Sequence, residues 1–253
     1  MSEAYAIIML ATLVVLVIAG IRLAFALMGL AIVFGFLFRG PSVLSLFMTS
    51  TFGVMSNEIL VAVPLFVFMG AILERSGATE KLFETLFKLM GPMRGGLAIA
   101  AIIISTIFAA CTGIIAASVT AMALIAMPAM LKRGYATDIS TGVVCAGGSL
   151  GILIPPSVML VLLGPMTNLS VAELFAGAIG PGLMLSAAYI LYIILRAIFD
   201  PKALPAIDKH ERTESIPRLI LDTFIYLIPI LGLLVAVLGS ILLGITSPTE
   251  ASA

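Results

Sequence analysis

Long apolar segments alternate with short charged ones along the whole chain. The ~30 Å hydrocarbon core of a bilayer is crossed by about 20 apolar residues in one helix, so these segments indicate membrane-spanning helices. Six segments are predicted as spans: residues 4–19, 23–38, 59–73, 139–164, 174–195 and 223–245. A seventh apolar segment, residues 95–131, is too long for a single crossing.

Residues 95–131 carry no charged side chain and lie between Arg94 and Lys132. One straight helix would extend about 55 Å, whereas two full crossings would need roughly 40 residues and a turn. We therefore expect two arms that stop partway, with the turn at Gly113. Basic residues at both ends place both ends on the cytoplasmic side. Non-helical backbone survives at membrane depth only where protein buries it or it lines a cavity, so the tip of this re-entrant hairpin is a candidate site.

The span at residues 139–164 is predicted to be broken, because two consecutive prolines remove backbone donors and nearby glycines weaken the helix. Freed carbonyls and the hydroxyls of Ser149 and Ser157 resemble the oxygen ligands that hold Na⁺ in discontinuous helices. A helix that starts near Ser157 would also offer its N-terminal amides to an anion. A simple proline kink is the alternative, but the adjacent hairpin favours a transport site. The interrupting residues are Gly147, Gly148, Gly151, Pro155 and Pro156.

Two further helices are predicted to be amphipathic. Residues 41–57 are uncharged up to Asn57 and place several hydroxyls on one helical face, which favours a helix in the membrane interface over a span. Residues 79–89 combine an apolar face with a charged face, which predicts a surface helix beside the first foot of the hairpin. The hydroxyls of the first helix are Ser42, Ser45, Thr49 and Ser56.

The composition excludes a soluble globular protein and indicates an all-α polytopic membrane protein, since 62% of the residues are hydrophobic and mean hydropathy is +1.26. A net charge of zero gives no support for a nucleic-acid partner. The single histidine, His210, lies in residues 199–217, which we interpret as a cytoplasmic loop. Cys111 and Cys145 lie in apolar segments and are expected to be buried without a disulfide framework. No transition-metal site is predicted, because the apolar segments contain no His and no acidic pair. The first apolar segment follows no basic region, so it is interpreted as a span and not as a cleaved signal.

Sidedness follows from the basic residues. With the N-terminus outside and residues 41–57 in the interface, all of the 13 Lys and Arg residues except Arg39 are cytoplasmic. If residues 41–57 span the membrane instead, Arg22 and Arg39 exchange sides. The number of cytoplasmic basic residues is then unchanged, so charge alone leaves both topologies open. The hydroxyl face and Glu3 favour the N-terminus outside.

Several motifs resemble the large membrane subunit (DctM-type) of tripartite ATP-independent periplasmic (TRAP) transporters. The resemblance covers essentially the whole chain, and the Pro-Pro-Ser stretch with the upstream Gly-Tyr is quite specific. The motifs are Val63-Pro64-Leu65-Phe66 with Met69-Gly70, Pro128-Ala129-Met130-Leu131-Lys132-Arg133-Gly134-Tyr135, Ser149-Leu150-Gly151 with Ile154-Pro155-Pro156-Ser157, and Ser247-Pro248-Thr249-Glu250-Ala251.

The resemblance implies a subunit of a secondary transporter in the bacterial inner membrane, built from two inverted repeats and working by an elevator mechanism. A periplasmic solute-binding protein (DctP-type) would deliver the substrate, a small four-helix membrane subunit (DctQ-type) would brace the scaffold, and a Na⁺ gradient would drive uptake. The hairpin tip from Thr112 to Ser118 departs from the serine-rich tip of many members, so the substrate is specified only as a small organic solute, most often a carboxylate. The family subunit is usually longer, and we expect this chain to be its first repeat and unable to transport alone.

The predicted organisation has three parts: scaffold helices with interfacial and arm helices in residues 1–94, a transport part in residues 95–165, and further membrane helices in residues 166–253 that include the start of the second repeat. The hairpin tip and the broken span are expected to form one Na⁺ site and one wall of the substrate site. Predicted Na⁺ ligands are Thr112, Gly113, Gly148, Ser149 and Gly151, and predicted substrate-binding residues are Ser118, Pro155, Pro156 and Ser157.

Three other functions are weighed against this one. The first is an ion-coupled organic anion carrier of the same superfamily that works without a binding protein. A membrane-embedded enzyme would need an intramembrane nucleophile and base, and the apolar segments contain no His, Asp or Glu. A purely structural subunit is disfavoured by the two adjacent discontinuities.

Overall fold

The computed structural model describes residues 2–206 and 216–253, and within these ranges the chain forms helices and no strand. His210 and the central part of the predicted loop at 199–217 lie outside the described residues. The α-helices are α1 (Ser2–Ile18), α2 (Leu23–Arg39), α3 (Ser42–Met55), α4 (Ala62–Arg75), α5 (Ala78–Met90), α6 (Gly96–Thr112), α7 (Ile115–Lys132), α8 (Thr137–Ser149), α9 (Val158–Thr167), α10 (Val171–Phe199), α11 (Ile216–Leu242) and α12 (Pro248–Ser252). Short 3₁₀ helices, Glu58–Val61 and Leu150–Ile152, precede α4 and follow α8.

Every segment predicted as a span contains helix, and the two predicted amphipathic segments form α3 and α5. Among the described residues, three helices are long and apolar enough to cross a bilayer alone: Ile115–Lys132, Val171–Phe199 and Pro217–Leu242. Helices α1, α2, α6 and α9 are apolar but shorter. The position of α3 in the membrane interface and the three-part organisation of the chain stay predictions.

The chain divides into two compact units, Met1–Asn57 and Glu58–Ala253. In the first unit, α1 and α2 pack side by side, and the rings of Tyr5 and Phe38 meet edge to face at 4.8 Å. Helices α1 and α2 are therefore antiparallel, because Tyr5 lies near the start of α1 and Phe38 near the end of α2. Gly35 of α2 faces Val43 so closely that a Cβ there would lie 2.8 Å from a Val43 methyl carbon, which fixes the first turn of α3 against α2.

The second unit is built around α6. This helix is apolar on all sides, which is typical of a helix buried within protein, and Leu97, Ile104 and Ala109 are fully buried. Helices α5, α7, α8 and α10 surround it. The apolar face of α5 packs on α6 and α11, with Leu82 and Phe83 buried.

Both ends of the 95–131 segment lie together at the base of a helical hairpin. The backbone N–H of Leu97 donates to the hydroxyl of Tyr135 at 3.3 Å. The loop after α10 is hydrogen-bonded to the hairpin base. Ala136 N–H donates to the Ala203 carbonyl at 3.0 Å, and Gly95 N–H donates to the Leu204 carbonyl at 3.3 Å. Burial raises the pKa of Tyr135 to about 12, so the hydroxyl stays protonated and neutral at physiological pH.

The two cysteines differ in exposure. Cys111 is buried as expected, but the expectation was wrong for Cys145, which is exposed. Helix α8 turns Val144, Gly147 and Gly148 toward its neighbours, so the intervening position 145 lies on the outward face.

Candidate functional site

The tip of the hairpin is a two-residue turn between α6 and α7. Gly113 adopts a left-handed conformation (φ 60°, ψ 12°) and Ile114 is extended (φ −131°, ψ 123°). Glycine adopts positive φ without the steric cost that a Cβ imposes. The arms have 17 and 18 residues, which corresponds to roughly 26 Å each, close to the ~30 Å hydrocarbon core. The depth at which this tip lies in a bilayer stays a prediction.

The second discontinuity lies between α8 and α9. Helix α8 ends at Ser149, the 3₁₀ turn Leu150–Ile152 follows, and Pro155–Pro156 is a cis peptide bond. Ser157 is extended (φ −123°, ψ 128°), and α9 begins directly after it. The fully buried Ser157 hydroxyl donates to the Ile152 carbonyl at 2.8 Å and so connects the two sides of the break.

The hairpin tip touches this break directly. A Cβ on Gly113 would lie 2.8 Å from the carbonyl oxygen of Pro156 and 3.1 Å from the backbone nitrogen of Val158. A Cβ on Gly151 would lie 3.3 Å from the Ser118 hydroxyl oxygen, and one on Gly148 would lie 3.0 Å from the Val119 backbone. Glycine is therefore needed where the tip and the break meet, because a side chain would push the two backbones apart.

Two hydroxyls are paired inside the tip. Thr112 Oγ1 and Ser118 Oγ are 2.9 Å apart, and Thr112 Oγ1 also lies 3.2 Å from the Phe108 carbonyl oxygen. Each hydroxyl has a single proton to donate, so when Thr112 donates to Phe108, Ser118 donates to Thr112. Both side chains are almost completely buried, at 4% and 0% exposure. This arrangement leaves lone pairs on the Ser118 oxygen.

Ser149 is placed differently from the other predicted residues. It is half-buried, and its hydroxyl donates to the Ala146 carbonyl of its own helix at 2.7 Å. The structure brings together Thr112, Gly113, Ser118, Gly148, Gly151, Pro156 and Ser157, whereas Ser149 and Pro155 adjoin this group as chain neighbours.

The electrostatics of the site come from helix ends. Helices α7 and α9 both begin here, and neither has a side chain capping its first amides. Helix N-termini carry roughly half a positive charge and attract anions, whereas helix C-termini and their carbonyls attract cations. Helix α6 and the 3₁₀ turn after α8 both end here. In the part of the chain that the structure describes, no group of three or more His, Cys, Asp and Glu side chains could hold a metal, so a cation at this site would bind neutral oxygens.

Two further residues adjoin the candidate site: Gly70, which the sequence analysis names only within a family motif, and Ser105, which it does not name. A Cβ on Gly70 of α4 would lie 2.9 Å from the Thr112 Cα, so α4 packs directly on the end of α6. Ser105 of α6 is buried beside Gly147, and its hydroxyl has no hydrogen-bond partner among the described residues. Glycine inside an apolar helix is the signal that could have identified Gly70, whereas nothing in the pattern distinguishes Ser105.

Comparison with known proteins identifies the family. Residues 10–253 match the family model described as "Tripartite ATP-independent periplasmic transporter, DctM component". The chain is similar to the C4-dicarboxylate TRAP transporter large permease protein DctM of Pseudomonas aeruginosa, with 36% identity over 86% of this chain and 49% of the relative. The protein of the same name from Vibrio cholerae is 32% identical over 94% of this chain and 51% of its own length.

A third relative transports a different solute by name. The ectoine TRAP transporter large permease protein TeaC of Halomonas elongata is 31% identical over 97% of this chain and 56% of its own length. The chain thus spans about half the length of the curated relatives it matches. It is a multi-pass helical membrane protein and not an enzyme, and it belongs to the DctM component family of the tripartite ATP-independent periplasmic transporters.

Proposed function

We propose that this chain forms half of the permease of a Na⁺-driven, binding-protein-dependent transporter that imports a small organic acid across the bacterial inner membrane. The observation that carries the proposal is the contact of the hairpin tip with the α8–α9 break, where Gly113 meets Pro156. Two discontinuities in contact are the arrangement by which secondary transporters build ion and substrate sites.

The Na⁺ site is proposed at the paired hydroxyls. Thr112 and Ser118 supply two buried oxygens 2.9 Å apart, and the backbone of Gly113, Gly148 and Gly151 adjoins them. Ser149 would reach the ion only by a rotamer change, because its hydroxyl donates to Ala146. Neutral hydroxyl and carbonyl oxygens suit a monovalent cation, which needs no carboxylate ligand.

The substrate site is proposed on the side where α9 begins. The free amides at the start of α9 and the turn formed by Pro155, Pro156 and Ser157 would face a carboxylate, because a helix N-terminus favours negative charge. Support comes from the relatives, since two of the three described above are named for C4-dicarboxylates.

We further propose that a second, inverted repeat completes the site and that the two repeats work as an elevator. A small membrane subunit of the DctQ type and a periplasmic solute-binding protein of the DctP type would complete the transporter. The length of the relatives, about twice that of this chain, supports a second repeat.

Uptake by proteoliposomes tests these points separately. The complete transporter should accumulate solute with an inward Na⁺ gradient and the binding protein present. Replacing Na⁺ with K⁺ should abolish accumulation, and uptake that ignores the cation would refute Na⁺ coupling. Equal uptake without the binding protein would instead favour an ion-coupled carrier that takes free solute.

A further inference from the structure

An apolar trough runs along the contact between α1 and α2, entirely within the first unit. The part next to the end of α2 has a volume of about 540 Å³ and is lined by Tyr5, Met9, Phe34 and Phe38 among others. A second cavity shares Met9 with it and continues to Leu27. From Phe38 to Leu27 the trough follows α2 for about 16 Å at ~1.5 Å per residue. This length matches one leaflet of the ~30 Å hydrocarbon core.

A polar pocket lies beside the end of the trough that contains Phe38. Arg39 directly follows Phe38 and lines a cavity of about 460 Å³ together with Ser42, Ser45 and Thr49. The close packing of Gly35 on Val43 holds the first turn of α3 beside the end of α2. The lining of this pocket contains a guanidinium and no carboxylate, so its charge suits an anion.

The hydroxyls in the pocket are arranged as acceptors. Ser42, Ser45 and Thr49 donate to backbone carbonyls at 2.7, 2.8 and 2.9 Å. Because the one proton of each hydroxyl is used within the chain, the oxygens offer lone pairs. A matching ligand carries an acidic group for Arg39 and hydroxyl donors for these oxygens.

We propose that the first unit binds a phosphatidylglycerol-type phospholipid from the surrounding bilayer. The phosphate pairs with Arg39, the glycerol headgroup donates to the α3 hydroxyls, and one acyl chain fills the trough. A single negative charge balances the single positive charge of the pocket, which an ethanolamine or choline headgroup would not do. An apolar helix of a partner could fill the trough but would leave the polar pocket unused.

Native mass spectrometry of the purified transporter with matched amounts of phosphatidylglycerol, phosphatidylethanolamine and phosphatidylcholine tests the proposal. Phosphatidylglycerol should be retained preferentially. Arg39→Ala should lower its retention about fivefold, the effect of one basic residue near a membrane surface. Arg22→Ala, at the opposite end of α2 and likewise exposed, is the matched control and should leave retention unchanged.

A second pair of variants tests the trough. Ala31→Phe would fill it and should release phosphatidylglycerol, whereas Val33→Phe adds volume at an exposed position outside the lining and should not. Arg39→Lys keeps the charge and should retain binding, which separates loss of charge from misfolding. Equal retention of all three lipids would overturn the proposal, and so would unchanged retention in Arg39→Ala. The proposal would also fail if Ala31→Phe lost the small subunit but kept the lipid.

Discussion

At the residue scale, the hydroxyls of Thr112 and Ser118 form a hydrogen-bonded pair. Both are buried at the hairpin tip, and one hydroxyl can donate only if the other accepts. Burial of polar groups is costly unless they are hydrogen-bonded, so this pair is stable in the absence of an ion. An entering cation would use oxygens that are already in place, without a large rearrangement.

Replacing Thr112 with valine should weaken the response to Na⁺. The substitution removes one oxygen at nearly constant volume. The Na⁺ concentration for half-maximal uptake should rise at least roughly tenfold, since hydrogen bonds to charged groups are worth ~1.5–3 kcal/mol. Thr106→Val is the matched control, because it removes a hydroxyl from the same helix that pairs with Ser186 at 2.7 Å. An equal shift in both variants would show that the effect comes from helix packing and not from an ion ligand.

Gly113→Ala should destabilise the protein through two separate costs. A left-handed conformation costs a non-glycine residue about 1–2 kcal/mol, and the new Cβ would meet the Pro156 carbonyl at 2.8 Å, which adds about 1–3 kcal/mol of overpacking. Gly77→Ala separates them, because Gly77 is also left-handed (φ 71°, ψ 2°) but has open space around it. Thermal unfolding in detergent should show a larger loss for Gly113→Ala, and equal losses would mean that the tip does not press on the break.

At the scale of elements, closure of the hairpin base predicts that Arg94 and Lys132 lie on one side of the membrane. Cysteines at these positions, in a background with Cys111→Ala and Cys145→Ala, should react with an impermeant thiol reagent only from the cytoplasm. The hydrogen bond between Leu97 and Tyr135 supports this outcome, since it joins the two ends. Labelling of the two positions from opposite sides would mean that the segment crosses the membrane once.

The sequence located both discontinuities because their causes are local. Pro155 and Pro156 interrupt a helix wherever they occur, and a glycine in the middle of an overlong apolar segment provides the turn. The partner of each element was not predictable. Periodicity showed that α5 has an apolar face but not that this face packs on α6 and α11. Likewise, Ser149 has a hydroxyl near the break, but only its side-chain torsion decides that it bonds to Ala146.

For the whole molecule, α10 is bound to the hairpin by side-chain and backbone hydrogen bonds. Thr106 of α6 and Ser186 of α10 form a partly buried hydrogen bond, and the loop after α10 is bonded to the hairpin base through Ala203 and Leu204. These contacts indicate that α6, α8 and α10 move together if the transporter works as an elevator.

A cross-link between Thr106→Cys and Ser186→Cys should therefore leave uptake nearly unchanged. It joins two elements that are expected to move as one body, so it does not restrict the motion of that body. Uptake before and after oxidation of the double variant, with each single variant as a control, measures this directly. Loss of uptake on oxidation that is restored by a reductant would place α10 in the stationary part.

The two-residue turn at Gly113 and Ile114 has a consequence for the membrane orientation of the chain that follows it. If the two ends of the hairpin, which the hydrogen bond between Leu97 and Tyr135 joins, lie on one face of the membrane, the segment contributes an even number of passes through the bilayer. If α6 and α7 joined into one continuous helix, the number would become odd, and every later loop would move to the opposite face of the membrane. The glycine at the candidate site would thus also set the membrane face on which each later loop lies.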